Sequence, residues 1–515
     1  MRPGAARTAR ARDGSALAAP AAATPAHADR PRTAAALPHP GQQRLCAPDQ
    51  FLAGLSLRNP YLESPARRLN PAARECAMQR VLSFEQSPPL SVPLRFFLSA
   101  PLFALLAALL LLWHGPDAFA SRWLPATLAL THLLTLGFLS MTMVGALIQI
   151  LQVVVGIDLP WPRGSAAFVH AMLALGTLLL ATGFLSSGPT AFRLALICLL
   201  AGFLWLLAAC AIGLWRVAQP TPTVTAIRLA LAGLAVTVVL GAAAASVFAW
   251  PLQLPVIEIT NAHAAWGLLA WVGLLTIGVA YQVVPMFQVT PTYPPRLGRW
   301  LSWTIVLALL AFSVSLGAFT GLRGWLQPAS ALVLGLAFLA FGVTTLRLLQ
   351  KRKRPPDTTT RFWRTSMASL LAAALLGLAG QWPDLAQAQW LPLMAGVLFI
   401  VGFACSVVNG MLYKIVPFLA WYHLQNRLAG QGRKAPNVRQ IITEEMAGRQ
   451  FYAHLAALAL MTAAPLWPHL LARPAALAFG VSAGWLAYNL AQAARIYRQM
   501  SLSPDNCASA RHPES

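Results

Sequence analysis

Charge is what this sequence has least of. Of its 515 residues only 10% are Asp, Glu, Lys or Arg, whereas 57% are hydrophobic, and the mean hydropathy is +0.60. A water-soluble fold has too little interior to hide that much apolar surface, so the solvent for most of the chain is a bilayer. Acidic residues are the scarcest class, 15 against 38 Lys and Arg, which leaves a formal charge of +23. The basic residues sit in short clusters between apolar stretches and form no aromatic-interleaved basic domain. That excludes a nucleic-acid partner and makes them topology signals.

Cysteine is equally uninformative by design. Cys46, Cys76, Cys198, Cys210, Cys405 and Cys507 are scattered, with no CxxC, no CxxCH and no Cys–His zinc spacing, which excludes a disulfide scaffold and covalently attached c-type haem. Carboxylates are missing from the middle of every predicted span: Asp117, Asp158, Glu258 and Asp384 fall in loops or at helix ends. Such groups carry protons through membrane pumps, so their absence argues against a proton-pumping oxidase and a proton-coupled antiporter. Residues 1–77 lack a continuous apolar run, which excludes a cleavable signal peptide and a packed domain. Residues 1–92 are read as a disordered basic tail, with Met78 an alternative start.

Apolar stretches of spanning length lie near 95–113, 124–150, 166–186, 192–215, 228–250 and 261–287, then near 300–319, 326–349, 364–381, 391–418, 452–470 and 474–494. The expectation is an all-α protein of twelve transmembrane helices over 93–500, with a short cytoplasmic tail at 501–515. If the amino terminus is inside, the inner loops carry Arg163, Arg216, Arg228, Arg296, Arg299, the cluster from Arg347 to Arg364 and five basic residues from Arg427 to Arg449. The outer loops carry only Arg122, Arg193, Arg323 and Arg473. This asymmetry predicts a bacterial-type inner membrane protein with both termini cytoplasmic.

The chain also repeats. Arg95, Arg228 and Arg361, each at the entrance of a span, are spaced by 133 and 133 residues. The strings GALIQILQ, GVAYQVVP and GMLYKIVP end the second, sixth and tenth spans, and their Gly145, Gly278 and Gly410 are spaced by 133 and 132. Agreement on one period at several positions predicts three four-helix units, 93–220, 224–355 and 359–500. The third unit has a longer loop at about 424–450.

Three four-helix arcs whose second helices carry the Gly-rich polar signals resemble subunit I of the haem-copper oxidase superfamily. The local signature is THLLTLGFLSMTMVGALIQ with NAHAAWGLLAWVGLLTIGVAYQVVPMF. The resemblance implies a haem ligand at His132, near the outer end of the second helix, and a copper ligand at His263, near the outer end of the sixth. The family's other ligands are missing. QWLPLMAGV, where two haem ligands belong in the tenth helix, has no His, and none occurs between His263 and His423. The resemblance is therefore to degenerate members such as the NnrS-type proteins of nitric-oxide response. It implies a b-type haem, no copper and no complete oxygen-reducing centre, together with a respiratory or electron-transfer partner.

The residues themselves leave alternatives open. Imidazoles inside a span mark a functional site by default, so His132 and His263 are candidate ligands of haem or of a bare metal. The competing reading is hydrogen bonding that stitches two helices together. Met394 is a candidate partner for a His/Met pair, against the commoner role of a core methionine. His170 and His454 are read as interfacial hydrogen-bonding residues and Lys414 as a snorkelling cation. Trp266 and Trp271 are candidate walls for a macrocycle. A transporter for a small neutral solute and a cofactor-free scaffold are the alternative functions.

Overall fold

The computed structural model describes residues 88–152, 160–215, 217, 220–317, 320–429 and 434–502. Met78 and most of the expected tail, Cys46, Cys76, Cys507, Asp158, Arg216 and residues 503–515 lie outside the described residues. Among those described there are only helices and their connections. The long helices are α1 (Ser91–His114), α2 (Pro125–Ile150), α3 (Pro162–Ser186), α4 (Pro189–Trp215), α5 (Pro222–Ala249) and α6 (Val256–Gln288). They continue with α7 (Pro295–Gly317), α8 (Thr320–Gln350), α9 (Thr358–Ala379), α10 (Trp390–Ala429), α11 (Glu444–Ala463) and α12 (Pro468–Leu502). Eleven of them are long and apolar enough to cross a membrane; α11, which carries Glu444, Glu445 and Arg449 in its first turns, falls short. The chain is an integral membrane protein.

Helix is the form this composition dictates, because hydrocarbon offers no partner to a backbone N–H or C=O. Proline sets many of the starts. Pro125, Pro162, Pro189, Pro222, Pro295 and Pro468 each occupy the first helical residue, where the missing N–H costs nothing. Several helices begin a turn or more before their apolar run does. The side chains of Thr221, Asp357 and Thr443 cap α5, α9 and α11, and the polar first turn that follows a cap is invisible to hydropathy. For the same reason α11 begins at Glu444 rather than near 452. α10 runs on to Ala429, past the expected 418.

α2, α6 and α10 form the centre. Between 67 and 72% of their most apolar windows is enclosed, against 17–50% for the other spans. Around them α12 packs on α1, α4 on α5 and α8 on α9, while α1 meets α3, α5 meets α7 and α9 meets α11. The glycines marked by the sequence period explain how the outer helices come so near. A Cβ on Gly145 would stand 2.8 Å from Phe96 of α1, one on Gly278 2.7 Å from Ala226 of α5, and one on Gly410 2.7 Å from Phe362 of α9. Large apolar side chains such as Leu109, Ile197, Leu307 and Val481 cover the outside, the lipid-facing surface of a membrane protein.

Each central helix also departs from α-geometry at a matching place. π-helical turns occupy Leu133–Ser140 in α2, Trp266–Leu274 in α6 and Leu398–Cys405 in α10. Their first residues are 133 and 132 apart, and the π segment of α10 packs against the other two. π-turns are uncommon and collect at functional sites.

At the arginine-rich end, the Asp357 carboxylate accepts hydrogen bonds from Thr360 N and Oγ1 and pairs with Lys414 Nζ at 2.6 Å. Lys414 is thus joined to α9 by an ion pair. Thr360 Oγ1 reaches Gln288 Oε1 of α6 at 2.6 Å, and Glu444 accepts from Thr358 N and Oγ1. One capping cluster therefore ties α6, α9, α10 and α11. Burial by itself would raise the pKa of Asp357, but the Lys414 ammonium and the Thr360 donors outweigh it and hold the carboxyl below its ordinary 3.8. A lowered folded pKa means stabilisation that is complete above the unfolded value and lost as pH falls through the folded one. Thermal melts of the solubilised protein should show this loss below about pH 4. Asp357→Asn should remove that acid-dependent part and lower stability at neutral pH by about 1–3 kcal/mol; an unchanged pH profile in the variant would refute the assignment.

Candidate functional site

His132 ends the α-helical first turns of α2 directly before its π segment, and His263 lies in the first turns of α6 three residues before its own. The two rings are stacked, with centroids 6.2 Å apart and planes 19° from parallel. His132 Nδ1 is 2.8 Å from the carbonyl oxygen of Leu128, one turn earlier in its own helix, and His263 Nδ1 is 2.9 Å from the carbonyl oxygen of Thr237 on α5. A carbonyl only accepts, so each Nδ1 carries the proton and each Nε2 is a bare lone pair. No described hydrogen bond reaches either Nε2. Ligating histidines are oriented in this way, by a backbone carbonyl on the other nitrogen.

The residues that α5 sets beside His263 are small. α5 runs past it with Gly241 against the ring: a Cβ there would lie 2.7 Å from His263 Cε1. The stretch GAAAAS from Gly241 gives α5 little side-chain bulk at this level, and no residue from 235 to 247 is buried, although the helix stands against α6 along its length. Phe184 of α3 lies 5.4 Å from the His132 ring and continues to Phe192 and Phe248. Both histidines are themselves only half-buried. The pair of imidazoles is half-buried, with Phe184 of α3 at the His132 ring and Gly241 of α5 at the His263 ring.

Among the described residues no group of three or more His, Cys, Asp or Glu could hold a metal ion. Two nitrogens are too few to close the four-ligand shell of a structural zinc. They suffice for a haem, which brings four equatorial donors of its own. Two neutral imidazoles are a donor set that a haem could use.

The other residues named by the sequence have different surroundings. Met394 is half-buried against the main core. The indole N–H of Trp266 donates to Ser313 Oγ of α7 at 2.8 Å, and that of Trp271 to Ser140 Oγ of α2 at 3.0 Å, so both tie helices together. His170 Nε2 meets Ser99 Oγ of α1 at 2.9 Å and His454 Nε2 meets Ser406 Oγ of α10 at 2.8 Å, the interfacial role expected of them. Thr237, Gly241 and Phe184 complete the site without having been singled out in the sequence. The small-residue run beside Gly241 was the one signal that pointed there.

No family model matches the chain, and no curated protein matches it.

The tautomers are directly observable. Nitrogen NMR of the histidine-labelled, ligand-free protein, assigned with His132 and His263 variants, should show both rings neutral and protonated at Nδ1. Resonances from Nε2-protonated rings would contradict the geometry.

Proposed function

We propose that this is a haem-binding membrane protein in which His132 and His263 would hold one b-type haem. The observation that carries the reading is the meeting of two carbonyl-oriented histidines whose Nε2 atoms lack a partner. The haem supplies one-electron chemistry at a potential set by its axial ligands and burial. Leu128 and Thr237 fix the tautomers, Gly241 admits the His263 ring, and Phe184 offers an apolar wall.

The scaffold reading is subunit I of the haem-copper oxidases in a degenerate form. Three four-helix units over 93–220, 224–355 and 359–500 repeat around an axis normal to the membrane, making a twelve-helix bundle with α11 as a span. The spacing of the π segments, the three glycine contacts and the recurring neighbours of α1, α5 and α9 support it. The positive-inside asymmetry supports an inner membrane location with cytoplasmic termini, which sets the histidine pair in the outer half of the bilayer. With both imidazoles engaged by one iron, no histidine of the pair is left for copper. The site then serves electron transfer, nitric-oxide handling or respiratory assembly rather than oxygen reduction, in contact with a respiratory partner.

Expression with excess haem should give a coloured protein with a Soret band. His132→Ala and His263→Ala should each remove or shift that band, and His170→Ala, at the other end of the bundle, should leave it unchanged. A wild-type protein that stays colourless overturns the reading and leaves the solute-transporter and scaffold alternatives.

A further inference from the structure

An opening lies among α1, α2, α6, α10, α11 and α12, with Leu128, Thr131 and Ala264 in its wall. It is a cavity of about 230 Å³, and no histidine lines it. Its wall is apolar in depth, formed by residues such as Leu111, Leu134, Leu268, Ile400, Val401 and Phe479, and its rim holds Arg122 and Trp123. From Pro125 to Leu134, nine residues at 1.5 Å per residue, the helical wall descends roughly 14 Å.

The polar groups of this wall are unevenly matched. Thr127 Oγ1 donates to the Ala118 carbonyl and Thr131 Oγ1 to the Thr127 carbonyl, both at 2.8 Å. Their protons are spent, and only lone pairs face outward. Arg122 has five N–H donors. One N–H bonds Asn261 Oδ1 of α6 at 2.8 Å, and the guanidinium carbon sits 4.3 Å from the centre of the Trp123 ring. These contacts hold the guanidinium in place without neutralising it. Among the described residues the ion pairs are Lys414–Asp357 and Arg449–Glu445, so Arg122 has no carboxylate partner. A positioned, uncompensated cation over an apolar shaft matches a molecule with an anionic head and a hydrocarbon body.

We infer that this cavity binds an anionic amphiphile, its carboxylate or phosphate head on Arg122 and its chain between α2, α6 and α10. The head belongs either to a free fatty acid or to a lipid of the surrounding membrane, and these share one recognition chemistry. Gly396 gives a clean way to close the cavity: it lines the wall, and a Cβ built on it meets nothing within 4 Å.

The test uses the full chain in phosphatidylcholine nanodiscs and measures binding of radiolabelled laurate and of its methyl ester. Laurate should bind saturably, about ten-fold or more tighter than the ester. Arg122→Gln should weaken laurate to the level of the ester, and Gly396→Leu, checked for folding by circular dichroism, should abolish saturable binding of both. Adding phosphatidylglycerol to the discs separates the sources. Competition that depends on Arg122 assigns the head to membrane lipid, and no competition assigns it to the free acid. Non-saturable uptake alike in wild type and Gly396→Leu, or laurate binding indifferent to Arg122→Gln, would overturn the inference. So would a haem band that responds to Gly396→Leu but not to His132→Ala, because the macrocycle would then occupy this cavity.

Discussion

The close approach of α5 to α6 is the contact on which the histidine site depends. Gly278 lets the helices meet at one end, where a Cβ would come within 2.7 Å of Ala226. At the other end Gly241 admits the His263 ring, and the Thr237 carbonyl one turn earlier accepts the hydrogen bond from its Nδ1–H. A larger residue at 241 would push the ring away and release Nδ1. The tautomer, and with it the availability of Nε2, follows from a backbone separation set by the absence of side chains.

The same logic recurs around the bundle with different outcomes. Gly145 and Gly410 admit Phe96 and Phe362, and these rings in turn pack on His170 and His454. Those histidines each find a serine hydroxyl, and so serve packing. His263 meets Gly241 and His132 meets Phe184, and neither neighbour offers a hydroxyl to the outward nitrogen. What separates a structural histidine from a candidate ligand here is the presence or absence of a serine opposite it.

Much of this was legible in the sequence. Apolar length located the spans, and the 133-residue spacing of Gly145 and Gly278 marked the helices that prove central. His132 and His263, 131 residues apart in the second and sixth spans, were picked out as candidate ligands. Other features left no trace. The π segments have no composition of their own; they are a response of long buried helices to their neighbours. Asp357 reads as a loop residue after a basic cluster, and only the fold brings it to Lys414, 57 residues away. The polar first turns of α5, α9 and α11 escaped because hydropathy counts apolar residues while capping places helix starts. The sequence placed both histidines in one half of the bilayer, and only the fold brings their rings to a 6.2 Å spacing.

The central claim is that both imidazoles bind one iron, and the spin state of the ferric protein tests it most directly. Low-temperature electron paramagnetic resonance should show a low-spin signal, as two strong axial nitrogen ligands require, that becomes high-spin in both His132→Ala and His263→Ala. A high-spin wild-type signal, or a low-spin signal untouched by His263→Ala, would contradict the account.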